Sequence, residues 1–391
     1  MNLEKEIKKL AEKYFSEIVD IRQYLHKYPE LSFNEIKTSE FIASKLSELD
    51  IPFKKGYAKN GILAQIEGNN PESRTIALRA DMDALPVNEE NDIDYKSHNN
   101  GVMHACGHDV HMASMLGTVK ILNELKDYFE GTILVVFQPA EEKLPGGAKL
   151  MLDEGIFDEK KPDIIIAQHV FPDMNTGSVG FREGMYMASA DEIYITVKGK
   201  GGHAAMPKKI TNTVLVASEI IVELHKEINS DKNIIPTILN FGKVIAQGAT
   251  NVIPNEVNIE GTFRTMNEEW RADTHNRITN IAEYIAKKSN ATCIVDIKKG
   301  YPFLINDIEV TKNAKLLAKE FLGNKKVEEL DIRMTAEDFA FFSQKYPSTF
   351  YRLGTASGEN FINTLHSSKF NIDENALRVG MGTMAYIAMN I

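Results

Sequence analysis

Apolar residues recur at helical spacing from the start of the chain. Ile7, Leu10, Tyr14, Ile18, Ile21 and Leu25 fall on one stripe, which predicts a single long surface helix. Strand-like and helix-like runs then alternate: Thr75 to Ala80, a helix from about Asp109 to Lys126, Thr132 to Phe137, and Asp163 to Ala167. Such alternation implies an α/β fold with a largely parallel sheet covered by helices. Each strand runs into polar residues: Asp81 and Asp83, then Glu141 and Glu142, then His169 at the end of the third. Ligand crevices in open α/β sheets lie at the carboxyl ends of strands, so these residues are expected to converge.

From about Asp191 the pattern changes. Strand (Asp191 to Lys198), helix (Asn212 to Asn229), strand (Thr237 to Ile245), strand (Glu256 to Met266), helix (Asn267 to Ser289) and strand (Thr292 to Lys298) follow in turn, the order of a ferredoxin-like α+β unit. Val214, Ala217, Ile221, Leu224 and Ile228 on the first helix, and Trp270, Ile278, Ile281 and Ile285 on the second, give each one apolar face. Two such faces cover one side of a sheet and leave the other side and its edges for a partner. After Tyr301 come more helix, a strand from Thr349 to Leu353, a loop holding His366, and a last helix from about Glu374 to Met389. A small domain, residues 188–300, inserted into a larger one, residues 1–187 and 301–391, accounts for this order. The chain has 391 residues, beyond the roughly 250–300 at which single cores divide.

Composition narrows the function. A net charge of -10 disfavours a nucleic-acid partner, which needs clustered basic surface, and points to a small molecule. No apolar run has the length of a membrane span, and the opening MNLEKEIKKL is charged, without the apolar core of a signal peptide. A cytoplasmic location is expected. The two cysteines, Cys106 and Cys293, are too few for a disulfide framework, which leaves Cys106 free for chemistry.

The densest chemical signal is MHACGHDVH, Met103 to His111, which sets Cys106 and His108 two residues apart at the expected start of a helix. Thiolate and imidazole are good ligands for zinc-like metals, and a helix amino terminus lowers a thiol's pKa. Glu141 and Glu142 follow an apolar strand and Pro139, so one carboxylate is available to hold metal and the other to relay protons. His169 and His366 complete five candidate ligands from separate parts of the chain. Each alone is an ordinary residue of its type. Together they exceed what one four-coordinate structural zinc needs, and a pair of metals sharing one bridging ligand would use them all.

Eight segments carry a resemblance over nearly the whole chain: RADMDALP (Arg79 to Pro86), MHACGHDVH, FQPAEE (Phe137 to Glu142), GKGGHAAMP (Gly199 to Pro207), NVIPNEV (Asn251 to Val257), GTFRT (Gly261 to Thr265), AEDF (Ala336 to Phe339) and the LHS around His366. The chain resembles the aminoacylase and carboxypeptidase metallohydrolases. Within them it is most similar to the amidohydrolase branch of hippurate hydrolases, N-acetyl-diaminopimelate deacetylases and auxin-conjugate hydrolases. The resemblance implies a metal-binding catalytic domain and an inserted lid that also serves homodimerisation. It implies metal binding by Cys106, His108, Glu142, His169 and His366, with Cys106 bridging, Glu141 as general base and acid, and Asp83 as a carboxylate that orients a ligand. It further implies that His203 stabilises the tetrahedral intermediate, often from the neighbouring subunit, and that Asn251 and Arg264 grip the substrate's carboxylate.

The expected activity is hydrolysis of the amide bond of an N-acyl amino acid or similar conjugate, with two divalent metal ions. Zinc is the first expectation, with manganese, cobalt or nickel as alternatives. A dipeptidase or aminopeptidase with the same metals is the competing reading, and a non-catalytic metal-binding protein a weaker one. Two loops depart from the branch's pattern. Lys208 and Lys209 follow GGHAAMP, and Lys143, Leu144 and Pro145 precede Gly146 and Gly147 where many relatives have a glycine run.

Overall fold

The structure is a computed structural model, which describes residues 2–230, 234–357 and 364–391. In chain order the elements are α1 (Leu3–Lys27), α2 (Ile36–Glu48), β1 (Phe53–Tyr57), β2 (Gly61–Glu67), β3 (Thr75–Asp81), α3 (His108–Glu124), β4 (Thr132–Gln138), α4 (Gly147–Asp153), β5 (Ile164–Asn175), β6 (Val179–Phe181), β7 (Gly184–Met187) and β8 (Asp191–Lys198). They continue with β9 (Gly202–His203), α5 (Thr213–Ile228), β10 (Thr237–Ile245), β11 (Val252–Ile253), β12 (Glu256–Thr265), α6 (Glu268–Lys288), β13 (Thr292–Lys299) and β14 (Leu304–Asn306). The last are α7 (Ile308–Leu322), β15 (Val327–Glu329), α8 (Ala340–Ser343), β16 (Ser348–Ala356) and α9 (Asn375–Asn390). The chain divides into two compact units: Met1–Gly184, Ile305–Asp331 and Asp338–Ile391 form the first, Met185–Leu304 and Ile332–Glu337 the second.

In the first unit, eight of the described strands form one sheet in the order β1-β2-β4-β3-β5-β16-β6-β15. Its centre is parallel, β4 with β3, β3 with β5 and β5 with β16, while β1 and β2 add an antiparallel edge. β3 and β4 are buried at every position, as expected of strands covered on both faces. The stripe on α1 behaves as its spacing predicts: Ile7, Leu10, Ile18, Ile21 and Leu25 are buried in a core shared with α3 and α9. One expectation needs correction. His169 does not end its strand, because β5 runs on to Asn175. Its ladder to β3 stops at Ala167, whereas pairing with β16 carries the extended backbone past His169.

The second unit holds a four-stranded antiparallel sheet in the order β10-β12-β8-β13. With α5 after β8 and α6 after β12, this is the ferredoxin-like arrangement. Val216, Ile220, Leu224 and Ile228 of α5 and Ile278, Ala282 and Ile285 of α6 share one core with Ile193, Ile195, Val197, Val257 and Phe263 of the sheet. Among the described residues no helix is long and apolar enough to cross a membrane.

Candidate metal centre

The site of the first unit is built from loops that leave the sheet at its parallel centre. β3 delivers Asp81 and then Asp83. The Asp83 carboxylate is buried and accepts three hydrogen bonds: from Glu141 N–H at 3.0 Å, Glu142 N–H at 2.9 Å and Ser32 Oγ at 2.6 Å. The turn that follows β4 is thereby pinned to the turn that follows β3. Ala140 reaches φ 53° in this turn, a left-handed conformation that a non-glycine residue holds only when its surroundings enforce it. Gly147 closes the turn with a hydrogen bond to the Ala140 carbonyl, and a Cβ there would lie 1.7 Å from the Pro139 carbonyl oxygen.

α3 begins at His108, directly after Gly107 at φ 79°. A Cβ on Gly107 would sit 2.5 Å from Val170 Cγ2, so glycine is required on both conformational and steric grounds. The first turn of α3 is tied to α1 through Asp109, which accepts from Arg22 Nε and His26 Nδ1, both at 2.8 Å.

Each proposed histidine ligand of the sheet region has its tautomer set by a carbonyl, which can only accept. His108 Nδ1–H donates to the Asp83 carbonyl at 2.8 Å, and His169 Nδ1–H to the Val170 carbonyl at 2.8 Å. Both Nε2 atoms are thereby left to face the site, that of His108 at 3.6 Å from Asp81 Oδ2. His169 Nε2 lies 3.6 Å from Cys106 Sγ, and His108 Nε2 is buried with no hydrogen-bond partner. His366, exposed and at φ 64°, is tied to the Cys106 loop by its N–H on the Ala105 carbonyl at 2.8 Å. Its Nε2 lies 3.2 Å from Glu142 Oε1, a buried oxygen that makes no hydrogen bond.

Among the described residues, Cys106, His108 and His169 form one trio whose donor atoms lie within 4.8 Å of one another, and Cys106, Glu142 and His366 form another. Cys106 is common to both. Glu141, buried, groups with His108 and Glu142 in the same way. The five ligands expected from the sequence are thus brought together, with Asp83 bonded to the backbone behind them. His203, Asn251 and Arg264 belong to the second unit. There the β9–β11 ladder sets His203 opposite Val252, and Ala204 N–H donates to the Asn251 carbonyl at 2.9 Å. Arg264 lies on β12, opposite Ile238 of β10.

A histidine that the sequence reading left unassigned proves to be part of the frame. Val170 N–H donates to His111 Nε2 at 2.9 Å, so Nδ1 carries the proton and donates to Asp81 Oδ1 at 2.5 Å. With both nitrogens engaged, His111 has no lone pair for a metal. Asp81 is in turn held by Arg79, whose guanidinium also binds Gln138 and Asp338, each at 2.8 Å. The i, i+3 spacing of His108 and His111 puts both on one face of α3, which was the available signal. The partner that decides their different roles comes from β5.

The electrostatics test whether cations suit the donors. Burial alone would lower His108, but Asp81, Asp83 and Glu142 outweigh it and push the imidazole up to about 10. Burial, then Arg352 and His111, hold His169 well below its ordinary value, so it is neutral. A helix amino terminus led to the expectation of a depressed thiol pKa at Cys106. The reverse holds in the metal-free chain: burial and the charges of Glu142, Glu141 and Asp81 push it well up. Glu142 Oε1, which makes no hydrogen bond, and a thiol surrounded by carboxylates call for positive charge in their midst, toward which neutral His169, and His108 once it gives up its Nε2 proton, offer lone pairs. The donor set fits divalent cations.

Soft and hard donors at the carboxyl edge of a parallel sheet, with a further carboxylate beside them, are the equipment of a metallohydrolase. The Peptidase family M20/M25/M40 matches residues 77–390, and the chain belongs to it. The chain is 36% identical over 369 residues to N-acetyldiaminopimelate deacetylase of Enterococcus faecalis, covering 93% of this chain and 95% of that one. It is 36% identical over 364 residues to N-acetyl-L-cysteine deacetylase of Bacillus subtilis, covering 92% and 85%. Among solved structures, the Bacillus subtilis YXEP protein, described as a dinuclear metal binding peptidase of the M20 family, aligns with a TM-score of 0.82 at 31% identity over 97% of this chain and 98% of that one. The protein is a hydrolase of amide bonds.

Proposed function

We propose that the protein hydrolyses the amide bond of N-acyl amino acids at a pair of divalent cations held by Cys106, His108, Glu142, His169 and His366. The observation that carries this reading is the sharing of Cys106 by two donor trios, which suits a thiolate bridging two ions. Thiolate and imidazole together favour zinc. When bound, such cations polarise the amide carbonyl and bring the pKa of water toward neutrality.

The chain's own residues do the rest. His169 presents a fixed Nε2 lone pair, and His108 does so once it gives up its Nε2 proton, because the Val170 and Asp83 carbonyls hold the Nδ1 protons. Glu141 takes a proton from the attacking water and passes it to the leaving nitrogen. One water is consumed, and the products are a carboxylic acid and a free amino acid. His203 supports the oxyanion, and Asn251 and Arg264 bind the substrate's carboxylate, roles suited to an imidazole, an amide and a forked guanidinium.

The second unit's geometry favours two chains acting together. His203 and Asn251 lie beyond the Glu256 end of β12, next to the β9–β11 ladder that leads into it. Arg264 lies eight residues further along that strand, roughly 26 Å away at the rise of an extended chain. That separation supports the reading in which a homodimer through this unit brings His203 and Asn251 from the partner to the site that Arg264 serves. The exposed segment Lys143–Pro145 sets substrate size preference apart from that of relatives, and the exposed Lys208–Lys209 turn alters the contacts of the His203 loop across the subunits. A cytoplasmic location agrees with a free thiol at the centre.

The test is metal content and hydrolysis of N-acetyl, N-benzoyl and longer N-acyl amino acids, alongside dipeptides, for wild type and Glu141→Gln. The variant is expected to keep about two ions per chain and lose roughly 100- to 10,000-fold in kcat. Cleavage of dipeptides in preference to acyl amino acids would move the substrate class to peptides.

A further inference from the structure

Glu35 is completely buried at the amino-terminal cap of α2, yet it makes no capping hydrogen bond. The early amides of a helix are ordinarily met by a short polar side chain at this position, which glutamate is not. Here that task falls to Glu30, whose Oε2 accepts from Thr38 N–H at 2.9 Å and Thr38 Oγ1 at 3.0 Å. Glu35 is thereby released. Its Oε1 accepts from Ala140 N–H at 2.8 Å and its Oε2 from Asn60 Nδ2 at 3.0 Å.

Ala140 is the left-handed residue immediately before Glu141. Three consecutive amides of the turn, Ala140, Glu141 and Glu142, are therefore captured by two buried carboxylates, Glu35 taking the first and Asp83 the other two. The same short segment braces Asp83 itself, since Ser32 Oγ donates to it and the Glu30 carbonyl accepts from Ala84 N–H at 2.8 Å. Keeping two carboxylates so close is costly: burial and the charge of Asp83 push Glu35 up to about 7 against the hydrogen bonds that favour its ionised form. With Glu30 on the α2 amide, both Glu35 oxygens are engaged outside the helix, by Ala140 and Asn60.

We propose that Glu35 is a positioning residue for the hydrolytic reaction, which fixes the backbone of Ala140 and so places the Glu141 carboxylate where it moves the proton. The proposal rests on the role given to Glu141 above. It predicts an effect on turnover rather than on metal or substrate binding, because Asp83 keeps both the Glu141 and Glu142 amides and loss of Glu35 frees only Ala140, which is joined directly to Glu141 and is one residue further from the ligand Glu142. Gln is the informative substitute: its Oε1 still accepts from Ala140 N–H, and a rotated Asn60 amide accepts from its NH2.

The experiment compares wild type, Glu35→Ala and Glu35→Gln by metal content, kcat and KM on an N-acetyl amino acid, and amide hydrogen exchange of segment 139–143 in the metal-free proteins. In Glu35→Ala, kcat is expected to fall roughly 10- to 100-fold, the range for losing an outer partner of a metal site. Metal content and KM should be unchanged, and exchange at Ala140 should accelerate while Glu142 stays protected. Glu35→Gln should recover most of kcat and of the protection. Unchanged kcat in Glu35→Ala, or loss of metal and a raised KM in step with it, would overturn the proposal. Should wild type cleave no N-acyl amino acid, the substrate reading fails, and the exchange data still judge whether Glu35 holds the turn.

Discussion

Each unit buries a cluster of aspartate, histidine and arginine, and the two clusters differ in how complete they are. In the second unit, Asp191 Oδ1 accepts from Gly300 N–H at 3.0 Å and from an Arg271 amine, while Oδ2 accepts from Arg271 Nε at 2.9 Å and His275 Nε2 at 2.7 Å. Arg271 also binds Glu268. Burial would raise Asp191, but these donors outweigh it and bring it down to about 2. In the first unit, Cys106, His108 and Glu35 are all pushed toward their protonated forms, and His108 Nε2 and Glu142 Oε1 have no hydrogen-bond partner. The closed cluster braces a fold, whereas the open one is arranged for something the chain does not itself contain. Residue type alone does not separate the two.

The contrast breaks if the clusters respond alike to perturbation. The largest effect is expected at the closed one: Asp191→Ala leaves Arg271 buried without its main partner and should cost about 3–5 kcal/mol in urea unfolding, with metal content of the folded protein unchanged. At the open cluster, Cys106→Ala removes the donor common to both trios. It should weaken metal binding by more than the roughly 100-fold typical of losing an outer partner, read by metal analysis after dialysis, with little loss of metal-free stability. A metal-free form destabilised as much as Asp191→Ala would make Cys106 structural.

The smallest effect sharpens the comparison. In the metal-free chain His108 holds its proton up to about 10, and the Cys106 thiol is pushed up as well, so cations must displace protons to bind. Affinity should therefore rise with pH through the neutral range and fall as pH drops, by about 1.4 kcal/mol per pH unit for each proton displaced. Titration calorimetry in buffers of different ionisation enthalpy counts those protons. An affinity flat between pH 6 and 8 would remove the proposed ligation by His108 and Cys106.

Local pattern carried much of the architecture. The stripe from Ile7 to Leu25, the apolar runs that became β3 and β4, and the two amphipathic helices over one four-stranded sheet are legible because burial imposes a period of 3.6 or 2 on the residues that face a core. The candidate ligands were legible for a different reason: metal chemistry admits few residue types, and here they stand in short, distinctive segments. The extent of β5 was not legible, since its last residues are held by β16, nearly two hundred positions away.

By itself, then, the sequence determined the fold class, the order of elements and the residue types available for ligation, all consequences of local periodicity and side-chain chemistry. Only the tertiary structure decided what each polar residue does. His108 and His111 are three positions apart on one helix face, and they diverge because Asp83 occupies one nitrogen of the first while Asp81 and Val170 occupy both of the second. Glu30 and Glu35 diverge because one caps α2 and the other reaches Ala140. Hydrogen-bond partners come from chain segments distant in sequence, and a buried polar group takes its role from the partner it finds.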